Sequence, residues 1–215
     1  RYVGHARDRD TGVVLYDEEH VETWRDGRRV ALTVVYRDPA GTTFAEKSVD
    51  FTRSRYAPDY RLEDRRSGRL EAAETLADGR QRLLFRSGAN ARTRERALPA
   101  DPARVVDAGL EELFRDRLDA LAAGEAPEIR LAIPSYLAVV GFRLRAIGAG
   151  RDRGQPTLTV RLEPRNPFFR LLAPDIDITF RGPRRAFWRY EGTTELRDPD
   201  GGNYDAIIEY PDRPH

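Results

Sequence analysis

Side chains able to do chemistry are few and scattered along this chain. The histidines are His5, His20 and His215. A hairpin turning at Thr11-Gly12 pairs His5 with a residue near Leu15 and not with His20, so no shared metal site is expected. Cysteine is absent, which excludes disulfides, thiolate nucleophiles, zinc–cysteine sites and iron–sulfur clusters. Carboxylates cluster at Glu18-Glu19, with His20 and Glu22 close by, and at Asp175-Ile176-Asp177. Two carboxyl groups flanking one bond could hydrolyse it by acid–base chemistry, as in glycosidases. On a strand, however, neighbours point to opposite sides, so Glu18 and Glu19 cannot share a site. Asp175 and Asp177 do share a face, but it lies opposite Ile176 and Ile178 and is therefore expected to be wet. Serine elbows, phosphate-cradling glycine loops and metal-binding histidine pairs are missing from the sequence. Gly148-Ala149-Gly150 is a lone Gly-x-Gly with no helix behind it. No catalytic residue, metal ligand or cofactor is assigned.

Two other clusters suggest binding. Arg80 to Arg96 holds six arginines against the single acid Glu95, a stripe that could meet lipid headgroups or another polyanion. The aromatic cluster carries the sharper expectation. Phe168 and Phe169 sit in a short insert with Leu171 and Leu172, and Phe187, Trp188 and Tyr190 follow in a strand. By alternation Trp188 and Tyr190 share a face with Ala186. The adjacent phenylalanines read as a flap over the mouth of a curved sheet. With Leu110, Phe114, Phe142 and Leu144 they form the expected ligand-binding set: Leu110, Phe114, Phe142, Leu144, Phe168, Phe169, Trp188 and Tyr190. Such a set could line or gate an apolar cavity.

The elements that must position these residues are mostly strands. Val140, Phe142 and Leu144 alternate with Gly141, Arg143 and Arg145, and the same period returns at Leu158 to Leu162 and Ile176 to Phe180. Period-2 patterning marks strands with one dry and one wet face. Turn signals at Thr11-Gly12, Asp26-Gly27, Pro39-Ala40-Gly41, Ser67-Gly68 and Asp78-Gly79 separate strand-like runs in an N-terminal meander over 1–98. Asp26-Gly27 specifies a tight type I′ hairpin. The charged run Asp17 to Trp24 reads as an edge or exposed ribbon. Arg53 to Asp64 reads as irregular, and Gly148 to Pro156 as a loop.

One segment has a helical period. Val106, Leu110, Leu113, Phe114, Leu118 and Leu121 form one stripe of an amphipathic helix over 102–123. Asp101 is the expected N-cap, Pro102 the first helical residue and Gly124 the C′ position. Burying such a stripe contributes on the order of 10 kcal/mol before entropy. Strands resume over 128–210. The fold class expected is mainly β (α+β): a large curved antiparallel sheet or incomplete β-barrel plugged by one amphipathic helix, in a single domain over 1–215.

Composition narrows the function. Lysine plus arginine is 37 and aspartate plus glutamate 36, so the charge is +1 and a nucleic-acid partner is not expected. Lys47 is the only lysine. The sequence begins Arg1-Tyr2-Val3 without methionine, and a removed secretory signal is the expectation. No run approaches the ~18 apolar residues of a membrane-spanning helix.

Val106-Asp107-Ala108-Gly109-Leu110 with Phe114, Arg117, Leu121 and Gly124, then Pro134-Ser135, then Tyr190-Glu191-Gly192 ahead of Arg197-Asp198, resembles a family of uncharacterised proteobacterial envelope proteins. That family is similar in strand order to the LolA/LolB-like lipoprotein carriers, whose incomplete barrel holds acyl chains under a helical lid. The resemblance covers residues 100–210. It implies a periplasmic location, an open β-barrel and an apolar ligand. The leading expectation is a periplasmic binding or carrier protein for a lipid-like or other apolar small molecule. An envelope protein partner and transient membrane-surface contact go with it. The alternatives are a structural or protein-interaction module with a filled core, and a hydrolase using Glu18, Glu22, Asp175 and Asp177.

Overall fold

Alternation becomes fifteen strands, and the helical stripe becomes one α-helix, in a computed structural model that describes residues 1–166, 175–211 and 213. The first half is a meander: β1 (Tyr2–Asp8), β2 (Val14–Arg25), β3 (Arg28–Arg37), β4 (Thr43–Asp50), β5 (Asp59–Asp64), β6 (Arg69–Thr75), β7 (Gln81–Arg86) and β8 (Arg94–Leu98). A short β9 (Arg104–Val106) leads into α1 (Gly109–Ala122). The second half holds β10 (Glu128–Ile133), β11 (Ala138–Asp152), β12 (Gln155–Pro164), β13 (Ile176–Arg181), β14 (Ala186–Arg197) and β15 (Asn203–Glu209). The sheet order is β8-β7-β6-β5-β4-β3-β2-β1-β15-β14-β13-β12-β11-β10-β9. The sheet is open, with β8 and β9 as its end strands and no closure into a barrel. Among the described residues, the expected mainly-β class with one amphipathic helix is what the chain adopts.

Residue contacts group into two compact units. The first comprises Arg1–Glu18, Phe114–Ile129 and Gly141–His215; the second comprises Glu19–Leu113 and Arg130–Val140. In the first unit, Val160, Ile178, Tyr190, Ile208 and Ala6 stand opposite one another across five strands. All but Tyr190 are buried. Side chains in one lateral row point to one face, so this row is a strip of core. Phe114, Leu118 and Leu121 of α1 are buried here too, and the Phe114 ring lies 5.9 Å from that of Phe180. The second unit repeats the device. Leu32, Val49, Tyr60, Ala73 and Leu83 form one buried row, and Val34, Lys47, Leu62, Glu71 and Phe85 the next row on the same face.

Local chemistry explains the turns. Asp26 and Gly27 both have positive φ, 51° and 73°, as a type I′ hairpin requires. Gly124, at φ 94°, ends α1. Its N–H donates to the Leu121 carbonyl (3.0 Å), and that of Glu125 to Ala120 (2.9 Å), the paired bonds of a Schellman motif.

Four expectations need correction. The helix begins at Gly109 and not at Pro102, because Val105 and Val106 pair with Leu131 and Ala132 of β10 in a parallel strand. β-branched residues favour that outcome over a first helical turn. Asp101 is then a turn residue, its Oδ1 accepting from the Ala103 N–H at 3.0 Å. Asp59–Asp64 is strand β5, with Leu62 and Asp64 buried. The segment 148–156 is a hairpin continuing β11 into β12, turned by Arg153 and Gly154 at φ 46° and 80°. Finally, β2 is not an edge: it lies between β1 and β3, and Glu18 is 5% exposed.

Candidate functional site

The residues expected to bind an apolar ligand are distributed over both units. Phe114, Phe142, Leu144, Trp188 and Tyr190 belong to the first unit, and Leu110 to the second. Phe168 and Phe169 lie outside the described residues. Phe114, Phe142 and Leu144 are closely packed, with Phe114 and Leu144 at 0% exposure. A column of rings runs through this unit. Phe114 meets Phe180 at 5.9 Å, Phe180 meets Phe187 at 5.8 Å, Phe187 meets Tyr210 at 5.3 Å and Tyr210 meets Tyr2 at 6.0 Å. Edge and tilted ring contacts of this kind add to the area they bury.

Trp188 does not share the inner face with Tyr190. The register of β14 against β13 shifts between Thr179 and Phe180, so Phe187 stands opposite Phe180 and Arg189 opposite Thr179. This bulge makes Trp188 the extra residue and resets the alternation. Phe187 therefore joins the ring column, and Trp188 carries the Arg181 guanidinium 4.6 Å from its ring. Tyr190 donates its hydroxyl to the Thr193 carbonyl at 2.6 Å.

The carboxylates weighed for hydrolysis are each engaged. Glu18 accepts from the Tyr210 hydroxyl, and burial with the Glu18 charge beside it pushes the Tyr210 phenol well up. Glu22 accepts from Trp24 Nε1 (3.1 Å) and Arg29 (3.0 Å). Asp177 takes a two-bond fork from Arg161, Nε and Nη2 each at 2.7 Å, and Asp175 lies 3.6 Å from the same guanidinium. That fork raises the Arg161 pKa further. His5 Nδ1 is 2.8 Å from Asp17 at an exposed site. Among the described residues no group of three or more His, Asp or Glu side chains is placed to hold a metal.

The second unit holds a cleft of about 570 Å³ beside the end strands. Leu98, Pro99, Ala138 and Val139 give it an apolar wall, and Arg96, Arg104, Arg130 and Asp101 its polar lining. Arg104 and Arg130 are direct partners across the parallel β9–β10 pair. Like charges placed opposite one another repel. Asp101 offsets part of this, 2.9 Å from Arg130. Arg104 is buried and donates to the Pro99 carbonyl (2.7 Å). Burial, then the Arg130 charge, lowers its pKa against the pull of Asp101. Arg96 donates to the Leu137 carbonyl at 3.2 Å. The lining thus carries three cations against one carboxylate.

Sequence reading reached Arg96, as one member of the Arg80–Arg96 stripe, but missed Arg104 and Arg130. They lie 26 positions apart and meet only through a parallel strand pair that periodicity did not reveal. Of the rest of the stripe, Arg80 is neutralised by Asp78 and Arg82 by Glu74.

Against models of known protein families, curated proteins and solved structures, the chain has no match.

Proposed function

We propose that this chain is a binding protein for a lipid-like, amphiphilic anion, and that the end-strand cleft receives the ligand. The observation that carries this reading is the excess of arginine over carboxylate above an apolar wall. A carboxylate or phosphate head would complete the charge balance around Arg104 and Arg130, and charge-assisted bonds to guanidinium are the strong ones. An acyl chain against Leu98, Pro99 and Val139 would add about 0.8 kcal/mol per buried methylene. A carrier acting in the periplasm, with an envelope partner, is the setting in which such a ligand would be met.

Titration of delipidated protein with oleate tests it. Saturable binding is expected, with oleyl alcohol binding more weakly. Arg96→Gln and Arg130→Gln should each weaken oleate about tenfold, equivalent to about 1.4 kcal/mol. Absence of saturable binding, or unchanged affinity in both variants, refutes the proposal.

A second reading has its own support. The close burial of Phe114, Leu121 and Leu144, all at 0% exposure, suits a structural or interaction module whose core is filled by its own side chains. Under that reading oleate titration yields no saturation.

A further inference from the structure

The only lysine of the chain sits at an unusual place. Among 37 basic residues, 36 of them arginine, Lys47 is the single primary amine on a side chain. It stands on the buried face of the second unit, in the row Val34, Lys47, Leu62, Glu71. Its side chain is 12% exposed, and its Nζ lies 2.6 Å from Oδ1 of Asp107, whose side chain is 5% exposed. The Tyr60 ring centre is 5.7 Å from the same Nζ.

Asp107 is held rigidly. It links β9 to α1 with φ 41°, a conformation rare outside glycine. The Val106 N–H before it donates to the Tyr56 carbonyl at 2.9 Å, and its own carbonyl accepts from the Leu110 N–H at 2.9 Å. Gly109, two residues on, packs so closely that a Cβ there would lie 2.0 Å from the Tyr56 carbonyl oxygen. Amine and carboxyl are therefore fixed against each other, out of water, by different elements of the fold. Such placement spares the two groups an encounter step.

A third group completes the arrangement. Glu71 is 2% exposed and stands two strands from Lys47 on the same face. Arg69 directs Nε (3.0 Å) and Nη2 to the same oxygen, Oε1, leaving Oε2 outside that contact. Burial raises the Glu71 pKa; Arg69 and Lys47 oppose this and the Asp107 charge adds to it. The carboxyl is thus held above the ordinary glutamate range and feels the charges of both Lys47 and Asp107.

We propose that Lys47 and Asp107 condense into an intramolecular isopeptide bond, with the Glu71 carboxyl acting on the pair through its charge. The step runs through the neutral pair, in which the ammonium proton has passed to the carboxylate, and burial lowers the cost of that transfer. The Nζ lone pair then adds to Cγ of Asp107, forming the N–C bond. A Cγ–O bond breaks, and that oxygen leaves as water. The ammonium supplied three protons: two depart with the water and one stays on the amide nitrogen. Nothing is oxidised or reduced. The product ties β4 to the β9–α1 turn by an amide that neither denaturant nor reductant opens.

Mass spectrometry of the folded, then denatured, chain is the test. The expected mass is lower than that of the sequence by one water. A water could also be lost by ring closure at an Asp-Gly pair such as Asp26-Gly27, so cleavage at Lys47 distinguishes the two. Lys47 offers a lysine-specific protease its one site, and the condensed chain should resist cutting there after unfolding. Lys47→Arg should keep full mass. Glu71→Gln, checked for folding by circular dichroism, should condense at least tenfold more slowly. Asp107→Asn should lose ammonia in place of water. Full mass in folded wild-type protein after prolonged incubation at neutral pH, or ready cleavage at Lys47, overturns the proposal.

Discussion

The two units differ in what their buried faces carry besides aliphatic side chains. In the first, an aromatic column runs from Phe114 through Phe180 and Phe187 to Tyr210 and Tyr2. In the second, charge goes inside. Arg29, with its side chain 1% exposed, lies 3.0 Å from Glu22, 3.1 Å from Glu111 and 2.8 Å from Glu112, and its guanidinium is 4.5 Å from the Phe51 ring centre. Arg55 reaches Glu112 at 2.7 Å, and Arg69–Glu71 is a further pair. An apolar column tolerates rearrangement, because any well-shaped hydrocarbon contributes similarly. Buried ion pairs do not: each ion gave up its hydration, and only its own partner restores the loss. The second unit should accordingly be the more specific in geometry and the less forgiving of single changes.

The largest effect should come from Arg29→Met. Removing one partner of a buried pair costs about 3–5 kcal/mol, and here three carboxylates lose their common cation. Chemical denaturation measures it, and a loss below ~1 kcal/mol would mean the cluster is hydrated in solution. Restoring part of the loss with Glu112→Leu in the same chain would sharpen the point, since a matched apolar pair can equal a buried ion pair.

Phe114→Ala tests the other mode. Large-to-small changes in a core cost about 3–5 kcal/mol for phenylalanine, and the lower end is expected because Leu118 and Leu121 can close part of the gap. Phe114→Leu should cost clearly less, whereas a conservative Arg29→Lys should recover little of Arg29→Met, because an ammonium cannot reproduce the guanidinium fork.

The smallest effect is one of pH. Burial lifts the Glu71 carboxyl above its ordinary value, against the pull of Arg69. The folded chain then holds that proton more tightly than the unfolded chain does. Its contribution is complete below the ordinary glutamate pKa and is lost as pH rises through the folded value. Stability of the wild type should therefore fall with rising pH across that window, and Glu71→Gln should flatten the slope. Asp50, held low by its bonds to Thr52, acts in the opposite sense: its contribution exists above the ordinary aspartate pKa and fades as pH falls. Denaturation midpoints over a pH series separate the two signs.

The contrast also explains what the sequence could disclose. Alternating apolar residues made the first unit's strands legible, and Gly124 and Asp26-Gly27 marked ends and turns because only certain residues accept positive φ. The charged interior was illegible for the same reason. Glu18, Lys47 and Glu71 occupy core positions in the alternation, but a polar residue reads as solvent-facing unless its partner is known. The partners lie far away in sequence, as Arg29 and Glu112 do, so pairing cannot be inferred locally. Arg104–Arg130 in the cleft failed on the same ground. The bulge that turned Trp188 outward left no mark in the residues themselves.

The pairing of β1 with β15 has a consequence for how the chain is made. His5 stands opposite Glu209 and Asp8 opposite Ala206, so β1 needs as its neighbour a strand that is made long after it. Contacts of such sequence separation form slowly, since a long loop must close before they return any free energy. Throughout synthesis one margin of β1 would therefore stand open, a template for pairing with any other extended chain nearby. The rate at which the newborn protein escapes aggregation is thus set by the arrival of Asn203–Glu209.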